Sequence, residues 1–595
     1  MHPLPVRWSR GLKNHLVSVA FVAIFLFSLS IPSFAQTPPA DPAEIYRQGM
    51  DSLQKADLAS ARAAFEKVVS LLPGNAEAHN SLGWVLLTQG HLDEAIAQFR
   101  TAVRLKPEFP QARINLSNAL LQKHEFASAV KEAREAVRIV PQDAEAHCTL
   151  ARALSASGDA KGASEEMQRA VDLDPSRADL HDDLGTILVQ ISKPQDAESQ
   201  FREALRLDAN FATAHLHLGV LEFDRSSFDG ARADLDAAVR LDPSNPQSHF
   251  YLARALQEQS NSDEAIREFR AAIALHPDFP EALSRLGVLS QRAGSVDDAA
   301  AAFRKLIALQ PENPDAHNNL GLTLLQSGDA SGAIGEFKRA LRYRPHDPGY
   351  EKNVGVAYLQ KTDFDAAITQ FQVAIKSTPD DATLHYDLGL ALKLKDKLPE
   401  AIQEFQLAEK LDPTQPDVHY TMGVTLWQQG ESDAAVVQLR AAVKSKPDYA
   451  EAYYTLGTVL KQQGELQDAA DSLREAIRLQ PDFAGAHTTL AAVLRQLGDT
   501  AGAASEAREG TDLAKQKTNL QAALFATNSG KRLLNVGDLE GAISQFRSAI
   551  QSVPDYAPAH FQLGLALQRH GDSAEATKEF QIAAKLDPRL TQPPQ

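Results

Sequence analysis

The chain has 595 residues, 23% charged and 44% hydrophobic, a balance that excludes a disordered polypeptide. Its formal net charge of −17 sets it against phosphate backbones and anionic lipid surfaces, which argues against nucleic acid as a partner. The single Cys148 permits no intrachain disulfide, so packing alone must hold the fold.

In chain order, the first segment differs from the rest. Arg7, Arg10 and Lys13 precede an uncharged apolar run over 16–31, followed by Pro32 and the small-x-small site Ser33-Phe34-Ala35. This order predicts a signal peptide over 1–35 and a mature chain that starts at Gln36 and is exported, periplasmic or extracellular. The alternative is an uncleaved anchor, but the run is shorter than the roughly 20 residues that span a bilayer. The mature chain is therefore expected not to cross a membrane. A lipoprotein is excluded, since no cysteine follows the run. Residues 36–41 read as a linker.

From residue 42 onward one stretch recurs, and 450–483 is its clearest copy: AEAYYTLGTVLKQQGELQDAADSLREAIRLQPDF. Prolines return every 34 residues, from Pro73 and Pro107 through Pro243 to Pro447 and Pro481, with Ala209 the single break in that run. Fourteen copies fill 42–517, an offset covers 518–522, two more copies fill 523–590, and 591–595 is a tail. A period of this length marks a solenoid in which each repeat buries its apolar face on its neighbours.

Physics explains the constant positions. The eighth residue is always small, as at Gly83, Ser117 and Gly185, where two helices must approach closely. The twentieth is always alanine, from Ala61 through Ala401 to Ala576, and a large apolar residue such as Phe99, Phe201 or Phe405 fills the space beside it. A mid-repeat Gly with a following polar residue, as in Gly328-Asp329, stops one helix and caps the next. In the copy at 484–517 the phenylalanine becomes Ala507 and the proline Lys515, and helical composition runs on across the offset. This predicts a longer second helix there, with a bend. The last phenylalanine-bearing face, near Phe580, is expected to be partly uncovered.

The pattern resembles the tetratricopeptide repeat family over 42–590. The resemblance implies an all-α, right-handed superhelical solenoid of about sixteen helix-turn-helix repeats. It further implies a concave face lined by the first helix of each pair, and no chemistry, because the family's common role is to hold other proteins.

Ten histidines sit at the fourth position of a repeat, among them His79, His147, His249 and His560. Neighbouring first helices lie about 8–10 Å apart, too far for such residues to share a zinc ion, so packing is the expected role and no metal or cofactor is implied. No nucleophile–base pattern or phosphate loop is present, so an enzyme is not expected. Basic residues at the second position, which the chaperone-binding clamp of some relatives needs, are replaced by residues such as Glu77, Asp315 and Asp417. At the family's groove positions, Tyr386, Tyr420 and Tyr454 fall in three consecutive repeats and are expected to form a ladder. Trp427, Lys393, Lys461 and Arg495 share one position in the same region. Aromatic rings with cations are the composition of binding hot spots, so these seven residues are the expected partner site. The partner expected is a protein or peptide, or else a polysaccharide. The resulting function is a non-catalytic interaction scaffold. The alternatives are a component of an envelope secretion or polysaccharide-export assembly, and a structural spacer with an empty groove.

Overall fold

The computed structural model describes residues 41–590, so the expected leader, its cleavage site and the tail lie outside the described residues. The described residues form 31 helices and no strand, an all-α solenoid. They fall into two compact bodies, one ending at Pro311 and the other beginning at Glu312. The first runs from α1 (Pro42–Gln54) to α16 (Val296–Leu309), the second from α17 (Pro314–Gln326) to α31 (Ser573–Leu586).

Each repeat is built alike, and α25 (Ala450–Gln463) with α26 (Leu466–Leu479) shows how. The first helix ends where Gly464 turns into the left-handed region at φ 88°, a conformation that costs glycine little. Where an aspartate follows the turn, as at Asp329, its side chain accepts from the third amide of the next helix, here that of Gly332. The second helix then lays its alanine and its large apolar residue against the first: Ala469, Leu473 and Ala476 are fully buried. The smallness of the eighth position has a direct geometric cause. A Cβ placed on Gly185 would lie 2.4 Å from the Phe201 ring, and one on Gly287 would lie 2.6 Å from Phe303.

The histidines complete this frame. His147 Nε2 donates to the Pro141 carbonyl at 3.1 Å, and its Nδ1 lies 2.7 Å from the Glu166 carboxylate on the second helix. His249 repeats the arrangement with Pro243 and Glu268, and His181 does so with Pro175 and Gln200. Each such histidine ties the proline turn to the second helix of its own repeat. Among the described residues no cluster of histidine, cysteine and carboxylate side chains could hold a metal ion. Cys148 is buried, and burial pushes its thiol up and keeps it protonated.

At the C-terminal end the expected longer second helix is present and runs further than its own repeat. The longer helix at the offset is α28 (Thr500–Asn535), which continues without a break through 518–522 and supplies the first helix of the next repeat. Residues 514–518, in its middle, are exposed, while Ala503 and Ala523 join separate cores. Phe580 itself is buried, because it packs inside its own repeat against Gly564 and Phe561.

Candidate functional site

First helices of successive repeats adjoin through a small set of positions. The sixth residue of one repeat meets the fifth and ninth residues of the repeat before it. In the second body this brings Tyr386, on α21 (Ala382–Leu394), to Thr421, on α23 (Pro416–Gln429), with 3.2 Å between their hydroxyls. In the first body it brings Arg152 to Asp183, whose carboxylate accepts from Nε at 2.8 Å and from a terminal nitrogen at 2.5 Å. Asp182 lies 2.8 Å from His217 by the same rule. These inter-repeat slots hold the side chains that vary.

The expected partner site lies wholly in the second body. Its three tyrosines are half-buried, and each ring packs on a different neighbour. Tyr386 lies 5.9 Å from Phe405, Tyr420 lies 5.0 Å from Tyr449, and Tyr454 lies 4.7 Å from Phe483. The expected ladder of stacked tyrosines is thus a row of rings, each propped by its own repeat or by the turn into the next. Burial raises the pKa of Tyr386 and of Tyr449, and the Tyr449 hydroxyl donates to Asp417 at 3.0 Å. Trp427 bridges the cores on either side of it, and its Nε1 donates to Gln462 Oε1 at 2.8 Å. Leu359, Leu390 and Val356 pack beside the same core, half-buried.

The three cations contrast with those that are paired within the chain. Arg344 and Lys395, for example, pair with Asp315 and Asp365. Lys393, Lys461 and Arg495 form no ion pair among the described residues. Lys393 is half-buried, and burial alone lowers its pKa. Arg495, near the end of α27 (Ala484–Gln496), is exposed.

Family profiles described as tetratricopeptide repeat match residues 46–111, 83–144, 183–246, 251–314, 289–348, 355–416, 420–482 and 454–516. Two related profiles match 530–571 and 120–184. The chain belongs to the tetratricopeptide repeat family. Such repeats generally serve as scaffolds for protein–protein interaction rather than as catalysts, and this tetratricopeptide array is a scaffold of that broad kind. No curated protein matches its sequence. Similar solved structures include the APC/C hetero-tetramer Cut9–Hcn1, at 16% identity over 77% of this chain and 97% of that one, with a TM-score of 0.34. Yeast Tom70 is 18% identical over 71% and 96% of the two chains, TM-score 0.31, and MamA 25% identical over 28% and 96%, TM-score 0.27.

Sequence reasoning passed over the slots of the first body. The signal was present: reading each ninth position of the tetratricopeptide repeat against the sixth of the next pairs Arg152 with Asp183 and Arg254 with Arg285, in each case 31 residues on.

Proposed function

We propose that this chain is a non-catalytic scaffold of the cell envelope or exterior, and that it holds an extended protein segment along the first-helix face of residues 382–495. The observation that carries this reading is the row of propped aromatic rings on the same run of first helices as Lys393, Lys461 and Arg495, cations that form no ion pair among the described residues. Rings fixed by their neighbours lose little freedom when a partner lies on them, and unpaired cations on the same run of helices favour acidic groups. The export part of the proposal rests on the basic, apolar and small-residue order of residues 1–35.

Affinity capture from the native envelope with the full chain tests it. Tyr420→Ala with Trp427→Ala is expected to weaken capture by about 2 kcal/mol or more, the scale of a hot spot. Because both rings also touch core residues, a modest stability loss is expected, so Gln326→Ala with Gln360→Ala serves as the second arm and should leave capture intact. Undiminished capture by the aromatic double variant sinks the site. N-terminal sequencing of the exported protein should begin at Gln36, and a membrane-bound chain starting at Met1 contradicts the export assignment.

A further inference from the structure

The slot between repeats 246–279 and 280–313, in the first body, has the frame of the Arg152–Asp183 slot but lacks its anion. The Arg254 guanidinium carbon lies 4.3 Å from the centre of the Phe223 ring, 5.3 Å from Tyr251 and 5.8 Å from Phe250. These rings hold the side chain in place, yet its Nε is buried without a hydrogen-bond partner. Where the earlier slot has Asp183, this one has Arg285. That residue donates to Gln257 Oε1 at 3.4 Å. Burial lowers its pKa first, the charge of Arg254 lowers it further, and the exposed Glu258 carboxylate only partly opposes them. Neither arginine takes part in an ion pair among the described residues.

Two guanidinium groups of like charge, half-buried and adjacent, are unfavourable unless an anion joins them. Cation–π contacts offset part of that cost for Arg254 and Gln257 accepts from Arg285, but the Arg254 Nε stays without a partner and neither guanidinium forms an ion pair among the described residues. The surroundings restrict what the anion can be. Asp224, Glu258 and Glu281 are exposed around the slot and close enough to act on Tyr251 or Arg285. Such a rim repels a polyanion, whereas one planar carboxylate fits a guanidinium fork in bidentate fashion. The faces of Phe223 and Tyr251 beside it suit apolar neighbours of that carboxylate.

We propose that Arg254 and Arg285 receive one side-chain carboxylate, Asp or Glu, of an extended peptide in which apolar residues flank the acid. The slot extends the scaffold reading but lies in the other body from Tyr420 and Trp427, so the two sites can fail separately.

The test is selection of random decapeptides on the full chain, displayed through their C-termini so that no free α-carboxylate is offered. Wild type and the Tyr420→Ala/Trp427→Ala variant are expected to enrich peptides with one acid among apolar residues, about tenfold over the matching Gln or Asn forms. In the Tyr420→Ala/Trp427→Ala background, where the other site is disabled, Arg285→Gln should lose that enrichment. Arg285→Asp should lose it too, and by supplying the anion that Asp183 supplies elsewhere it should raise hydrogen-exchange protection across 246–313 by about tenfold. Acid-independent enrichment, enrichment that survives both Arg285 variants, or stronger competition by heparin than by a single-acid peptide would overturn the proposal. Reduced protection in Arg285→Asp overturns the claim that the slot lacks an anion.

Discussion

The slots at Arg152 and at Arg254 follow one position rule, and they differ most in the charge of the residue that meets the arginine. Both place a ninth-position arginine beside the sixth position of the next repeat, and both sit above a buried eighth-position glycine or alanine and a buried large apolar residue. In one, Asp183 closes the charge internally; in the other, Arg285 leaves it open. A repeat array separates its tasks in this way. The periodic positions hold the helices together, and the inter-repeat positions are free to become structural pairs or receptors without disturbing them.

The largest expected effect breaks the closed slot. Asp183→Ala removes the buried carboxylate that accepts from two nitrogens of Arg152 and should cost about 3–5 kcal/mol, read as lost exchange protection around residues 144–211. Arg285→Ala at the equivalent place should cost close to nothing, since it relieves a like-charge contact. Equal losses at both sites would erase the distinction between them.

A smaller effect tests the shared frame. Gly185→Val and Gly287→Val each drive a side chain into a buried phenylalanine, Phe201 and Phe303 respectively, and each should cost about 1–3 kcal/mol. The two costs should agree within experimental error, and a large difference would mean that the frames are not equivalent. Losses should stay within the neighbouring repeats, because each repeat leans mainly on those beside it.

The smallest effect is in pH. The hydrogen bond that His249 donates to the Glu268 carboxylate raises its pKa, burial opposes the rise, and the Pro243 carbonyl adds to it. A folded-state pKa above the unfolded value near 6.5 gives stability that is complete at lower pH and is lost as pH climbs through the raised pKa. Protection of residues 246–279 should therefore decline above pH 6.5, and Glu268→Gln should flatten that decline. A decline of the same size in Glu268→Gln would assign it to another group.

The repeat register was legible in the sequence because every frame position answers to a steric demand. Gly185 must be small beside Phe201, Ala401 must be small where it is fully buried between helices, and the turn at Gly464 needs a positive φ. The histidines were legible as packing residues, but not as ties to the proline carbonyls, since those bonds depend on the three-dimensional path of the turn. The merging of two repeats into α28 was half legible: helical composition crossed the offset, yet nothing local distinguishes one long helix from two. The tyrosine row was read by position alone. Its rings rest on Phe405, Tyr449 and Phe483, partners that lie on second helices or in turns and not on the face that the position rule describes. The Arg254 slot escaped because single positions were read down the array, whereas its chemistry lies in a pair from two repeats.

Photo-crosslinking in the native envelope tests most directly whether partners lie on the first-helix face. A photoreactive phenylalanine analogue, which keeps an aromatic ring at the site, would replace Trp427 on α23 in one full-length protein, and Val437 on α24 (Ser432–Ser445) in another. Val437 is 65% exposed and lies on the second helix of the same repeat. The account predicts discrete adducts from position 427 and none of the same mass from position 437. Adducts from 437 with none from 427 would place the partner on the opposite helices and contradict it.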